Sequence, residues 1–586
     1  MKKQIISMVM ASGLLLGATA CGGTLVDEID KNKTQIYVSV YNGGVGYDWI
    51  EKQKDAWNAT NDKYQVIIKP EQTSSTTVRN DLNMGVTGTD AYWLGESGMR
   101  MAIEKGQLED LSDIMTMKVD GTDKTVGDKL TADSNYFNVW KDYASKSGEG
   151  LYMLPYADSF IGLLFDYDTF VENNWLIKAN ATDETVTSAL TAQGIVYEKS
   201  GANLIFKSYT GNERVNYEDG DLIMSVGKDG KYGTYDDGQP QTLSEFTSMV
   251  NKIVNVGTNK AFIWTGQYSG YTEDITTAIM AQYSGIDAYN AYYSFDSKGK
   301  ELEMYDGSKK TITPDNGYEV YGLAGYKKAV EFINTFFNNS KYIHPKSTAS
   351  ISHIEAQNLY LLGYRGEQSN PFSAMLVDGG WWENESHAMF DSIAERDADR
   401  GYGKRDYRYM LLPKFDGQAG IDGEGNGSVV SVRSSGCVVV PKCSDAEKLS
   451  AIKEFIAYTL SDENLRAFTR QTGVMTPYDF EVTAEDRETM TPFSNTMWDI
   501  YTDKENVTFI RPMLDFHCSP IKMLGTGIHD NICPVTATVP YACVVEALEA
   551  GKTVDEIVEG TARVYSASKW SSMLAEARAA GFYKTN

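Results

Sequence analysis

Several aromatic side chains stand beside acids or amides: Tyr41 with Asn42, Trp93 with Glu96, and Tyr156 with Asp158. Trp264 and Tyr268 flank a small polar turn, and Trp381-Trp382 is followed by Glu383-Asn384. A flat apolar ring covers the C–H side of a pyranose, and neighbouring acids and amides hydrogen-bond its hydroxyls. Core packing is the alternative for each aromatic, and for Asp158 the alternative is a turn residue. Both readings stay open at this point. Two adjacent tryptophans on a strand point to opposite faces, so at most one of Trp381 and Trp382 can meet a ligand.

A second chemistry is suggested by the Asp/Gly-rich run 229–240, DGKYGTYDDGQP. Asp229, Asp236 and Asp237 on a glycine-bearing loop suit calcium, which takes hard oxygen ligands. Lys231, Gly233 and Pro240 depart from that pattern, and an Asp/Gly-rich hairpin turn is the other reading. His517, Cys518, His529 and Cys533 could be taken for a zinc set, but no paired CxxC accompanies them, and small buried thiols are the simpler account. Beyond Cys21 lie Cys437, Cys443, Cys518, Cys533 and Cys543, an odd number that argues against a disulfide scaffold. No GxSxG, HExxH or phosphate-loop motif is present. With 80 acidic against 54 basic residues the formal charge is −26, which disfavours nucleic acid and strongly anionic ligands.

The elements that must carry these residues alternate at the start of the chain. Strands are predicted at 36–41, 65–69 and 91–94, with helices at 48–59, 76–85 and 98–105. Strand–helix alternation implies a parallel sheet whose ligand loops lie at the carboxyl ends, here Asn42–Gly46 and Trp93–Ser97. Further on, 151–156 and 160–166 read as two strands broken around Asp158. Thr242 and Glu245 form a capping box, and Ser444 with Glu447 suggests another. A long helix is predicted over 318–338, buried strands over 373–377, 408–412 and 428–440, a helix from Asp462 capped by Gly473, and a helical stretch from Thr553 to about 580. The 586 residues would hold roughly three to four domain-equivalents, or two large lobes.

At the N-terminus Lys2 and Lys3 precede the apolar stretch 5–16, which is too short to span a bilayer as a helix. Gly17-Ala18-Thr19-Ala20-Cys21 follows and resembles a bacterial lipoprotein signal, departing from it at Ala18. The resemblance implies a signal peptide over 1–20, lipidation at Cys21, a polar tether over 21–34, and a place on the outer face of the cell membrane.

Taken in order, the leader, the segment Tyr41-Asn42-Gly43-Gly44, DAYWL at 90–94, KGQLEDLSDI at 105–114, LPYADSFIGLLFDYDTF at 154–170 and the 428–478 stretch ending in TGVMTPY resemble the sugar-binding lipoproteins of ABC importers. That resemblance implies a two-lobe α/β binding-protein fold of type II with hinge strands between the lobes. One lobe would be 35–158 plus 438–490, the other 159–437 plus 491–586. It further implies a monomer that catalyses nothing, closes on an oligosaccharide, and delivers it to the transmembrane subunits of a permease. An exported glycoside hydrolase, or a binding protein for a peptide or other solute, is the alternative. A surface glycan-binding β-sandwich fits less well, because the chain opens on β/α alternation.

Overall fold

The computed structural model describes residues 28–586 except 42, 70–74, 86–87, 96–98, 100–101, 104, 120, 131–149, 213, 367–368, 419–426, 513–540, 580–582 and 584–586. The first strand, β1 (Thr34–Val40), buries Ile36, Val38 and Val40 on alternate positions, as a strand with one covered face must. It pairs in parallel with β2 (Tyr64–Lys69) and β3 (Ala91–Leu94). The helix Asp48–Thr60 crosses between the first two, covering the sheet with Trp49, Ile50 and Trp57.

The second structural theme is a pair of long strands. β4 (Leu154–Asp166) is 13 residues long and buried throughout. The β5 (Ile195–Ser200) and β6 (Asn203–Tyr209) hairpin follows, then β7 (Lys260–Ile263) and the small hairpin of β8 (Glu301–Glu303) and β9 (Lys309–Thr311). β10 (Ser373–Gly379) runs parallel to β7 and antiparallel to β4, which β11 (Tyr407–Met410) also pairs. β12 (Ser428–Val439) lies antiparallel along β4. Its first half pairs with β13 (Val507–Ile510) and its last residues pair with β3. The sheet therefore runs without a break in the order β2-β1-β3-β12-β4-β10-β7. The β4–β12 register slips between Val432 and Ser434 and again between Gly436 and Cys437.

Those slips lie where the cores separate. One apolar cluster takes Ile36 to Ala157 together with Cys437 to Tyr478, and Trp381, which follows β10, reaches into it. A larger one runs from Leu163 to Ala577, and a third, from Phe160 to Val507, packs on the same side of the slips. The first cluster is here called the N-lobe core and the other two the C-lobe core. β4 and β12 run through both, which gives the two-lobe α/β architecture with hinge strands.

Some predicted elements change. The two strands expected on either side of Asp158 are one strand, because its carboxylate is paired and can lie inside the sheet. The 318–338 helix is a 3-10 segment, Pro314–Gly322, followed by the helix Ala324–Phe336; Leu323 between them is extended. The cap before Ala446–Thr459 is Asp445 rather than Ser444, since its carboxylate accepts from the Glu447 and Lys448 amides at 3.0 Å. The capping boxes at Thr242 and Thr553 form, and Gly473 closes its helix at φ +69°. Cys437, Cys443 and Cys543 are not in disulfides. The other cysteines, His517 and His529 lie outside the described residues. Among the described residues no helix is long and apolar enough to cross a membrane.

Candidate functional site

The carboxyl ends of β1 and β3 in one lobe face the segment after β10 in the other. Tyr41 follows β1 and is 38% exposed, with its ring against Gly43 and Gly95. Across the interlobe space, β10 ends at Gly379, and Gly380 leads to Trp381, which caps the short helix Trp382–Glu385. The Trp381 ring lies on the backbone of Gly44: a Cβ added there would stand 2.5 Å from Cδ1. The Asn384 amide donates to the Gly44 carbonyl at 3.0 Å and to that of Val45 at 3.3 Å. Tyr271 meets Trp381 edge-on at 6.2 Å and touches both lobes' cores. These contacts join the two lobes on the loops where open α/β sheets bind ligands.

The hinge floor is polar, and its acid is paired through one oxygen. Asp158 is fully buried at a point where three chain segments cross between lobes: β4, β12 through Ser435, and the 475 segment through the Asp158 amide and the Met475 carbonyl. Its Oδ2 meets the Arg511 guanidinium at 2.8 Å and the Tyr501 hydroxyl at 3.2 Å. Asp158 is therefore a hinge brace and not a turn residue. Beside it, Tyr156 stacks on Trp49 at 6.0 Å and lies against Gly436, and burial holds its phenol well above the usual range.

Three of the tryptophans expected at a ligand face are core residues instead. Trp93 is 1% exposed and edge-on to Phe455, because the helix Ala446–Thr459 covers that side of β3. Trp264 is fully buried against Phe337, and Trp382 is enclosed by Tyr360, Tyr407 and Phe493. Tyr156 is also mostly core, at 7% exposure. Of the Trp264–Tyr268 turn, Gln267 and Tyr268 are exposed, Tyr268 at 47%, while the Thr265 hydroxyl is bonded down onto the Ile351 carbonyl. Trp381 is 9% exposed at the lobe interface while Trp382 turns into the core, although both belong to a helical turn and not a strand. Asn42, Glu96 and the lipidation candidate Cys21 lie outside the described residues. Asn384 stood in the sequence only as a polar neighbour of the tryptophan pair, and Tyr271 was not among the candidates at all.

The 229–237 loop is acceptor-rich. The Thr234 hydroxyl has the Lys231 carbonyl at 3.2 Å, Asp236 Oδ1 at 3.2 Å and Asp237 Oδ1 at 3.4 Å, and one O–H can serve only one of them. Asp236 Oδ2 accepts from the Lys228 and Asp229 amides, and Asp237 is held by Tyr217 and the Gly233 amide. Burial raises the pKa of all three carboxyls, and the charge of Asp236 adds to the shift at Asp229. As they stand, no three acid, His or Cys side chains among the described residues converge as a metal site.

No family model and no curated protein matches the sequence. Solved structures do match in fold. Apo RafE from Streptococcus pneumoniae superposes with a TM-score of 0.50 at 12% identity, covering 93% of this chain and 99% of that one. RafE in complex with raffinose gives 0.51 at 11% identity, covering 92% and 100%. The chain thus has the two-lobe fold of a solute-binding protein over nearly its full length.

Proposed function

We propose that this protein is an extracytoplasmic, lipid-anchored substrate-binding component of an ABC importer. It captures a neutral oligosaccharide by closing its lobes and passes it to the permease's transmembrane subunits. The observation that carries this reading is the contact of Trp381 and Asn384 in one lobe with Gly44 and Val45 in the other, about a hinge of continuous strands. Contacts made only between closed lobes are what a ligand stabilises when it bridges them. The likeness in fold to a raffinose-bound protein, and the exposed Tyr41 and Tyr268 rings, support a sugar as the ligand. Binding without catalysis is part of the proposal, as is anchoring through Cys21.

Calcium in the 229–237 loop belongs to the same proposal. Asp229, Asp236, Asp237, the Thr234 hydroxyl and the Lys231 carbonyl carry oxygens of the hard type calcium prefers, and the three acids would have to draw together to hold it. A bound cation would relieve the crowding of acceptors on Thr234.

A thermal-shift series on the mature chain with raffinose, other neutral oligosaccharides and short peptides tests the reading. A ligand at 100-fold its Kd adds about 2.7 kcal/mol and raises the midpoint. Recovery of intact sugar supports binding; recovery of cleaved sugar sinks it in favour of a hydrolase. A shift with peptides alone sinks the sugar assignment. The calcium arm predicts a lower midpoint in EDTA, restored by calcium and not by magnesium. An unchanged midpoint in EDTA removes calcium from the account.

A further inference from the structure

Behind the lobe contact, the C-lobe wall holds a cluster that none of the proposed ligand contacts uses. Gln357, on the helix His353–Leu362, is fully buried, and its amide nitrogen serves two acids. One N–H goes to Asp378 Oδ2 at 3.0 Å and the other to Glu385 Oε2 at 2.6 Å. The Ser386 hydroxyl donates to the Gln357 carbonyl at 2.9 Å, which fixes the amide with its nitrogen toward the acids. Asp378 Oδ1 accepts from the Gly379 amide at 2.7 Å. His353 Nε2 lies 3.4 Å from Glu385 Oε1 and is the one imidazole in the cluster, its ring 5.8 Å from that of Tyr268.

The placement of the two acids is what gives this cluster a role. Asp378 is near the end of β10 and Glu385 closes the helix that follows, so the brace holds both ends of the segment 378–385. Trp381 and Asn384, the residues that reach the N-lobe, lie between them. The Trp381 ring also covers Gly379, next to Asp378.

We propose that Gln357 is a positioning residue for lobe closure, and that the protons on Asp378 and His353 make closure weaken as pH rises through neutrality. The proposal rests on the hinge-closure reading above. With Asp378 protonated and His353 charged, the cluster is neutral. Burial, reinforced by Glu385, pushes the Asp378 carboxyl up to about 7, and Glu385 raises the His353 imidazole. Raising the pH removes both protons and leaves the buried Asp378 carboxylate beside the partly exposed Glu385 carboxylate with no imidazolium between them and solvent. On this proposal the protonated cluster goes with the closed form, in which Trp381 lies on Gly44 and Gly379, and the ionised cluster with the parted lobes. Each linked proton changes the open-to-closed ratio by up to about tenfold per pH unit.

Lobe separation can be read without sugar on the mature chain. Dyes placed through unnatural amino acids at the exposed positions Met84 and Val256 report the interlobe distance by energy transfer. The distance should lengthen between pH 6 and 8. Asp378→Asn should remove most of that change, and Glu385→Gln should move it to lower pH by withdrawing the charge that raises both neighbours. Circular dichroism confirms that each variant is folded, and either variant alone suffices if the other fails to fold. A distance that does not vary with pH in the wild type, or a pH profile unmoved by the folded variants, overturns the proposal. Because no sugar is present, either result is independent of whether the ligand is an oligosaccharide.

Discussion

At the scale of single residues, a buried ion pair is held by both partners or costs a great deal. Asp158 and Arg511 are close to fully buried, and removing the guanidinium strands a carboxylate at the crossing of three segments. Arg511→Met should cost about 3–5 kcal/mol, and Asp158→Asn added to it should recover much of the loss. Denaturant midpoints of the two variants and the double variant check this; a double variant as unstable as Arg511→Met would show that charge burial is not the cause. Residue types alone could not have located this pair, since the two lie 353 positions apart. The same holds for the aromatics. Trp93 and Trp381 both follow apolar strand residues beside polar ones, but only a third element decides which of them is covered. For Trp93 that element is the helix bearing Phe455; for Trp381 it is the opposite lobe's glycine loop. The Gln357 brace left no local trace, because its acids are 21 and 28 residues from the amide.

At the scale of elements, legibility followed the physics of local signals. Elements were readable where alternation and capping are written within a few residues, as at β1 in the N-lobe and the Thr242 box in the C-lobe. The β4 strand was misread because an acid in an apolar run looks like a break when its partner is out of sight. The loop after β1 carries the element-scale prediction. Gly44 has φ +68°, and a Cβ there would enter the Trp381 ring of the other lobe. Gly44→Ala should cost roughly 1–3 kcal/mol in backbone strain, and the added methyl should act against the closed form in particular. Ligand affinity should therefore fall by about tenfold or more, a loss of about 1.4 kcal/mol, with the far-UV spectrum preserved. Equal affinity in isothermal titration would place the ligand-binding form elsewhere than in this lobe contact.

At the scale of the whole molecule, the two lobes share one sheet, and the hinge is the stretch of β4 and β12 where their register slips. The overall class could be reached from the order of several weak sequence pieces, whereas which loops meet across the hinge could not. The interleaved lobe composition has a consequence for how the molecule is made. The N-lobe core draws on Ile36 to Ala157 and then on Cys437 to Tyr478, so the lobe begun first on the ribosome is among the last to be completed. Until the helix carrying Phe455 emerges, Trp57 and Trp93 have no lid, and the nascent chain holds an unfinished, protease-sensitive half. A chain truncated before residue 437 should then be cut within residues 34–69 by a trace of protease, while one extended past 478 should resist there. Resistance in both would mean that the early strands and helices fold on their own. Protection in the longer chain alone would make the N-lobe a structure assembled backwards in time, finished by its own distant tail.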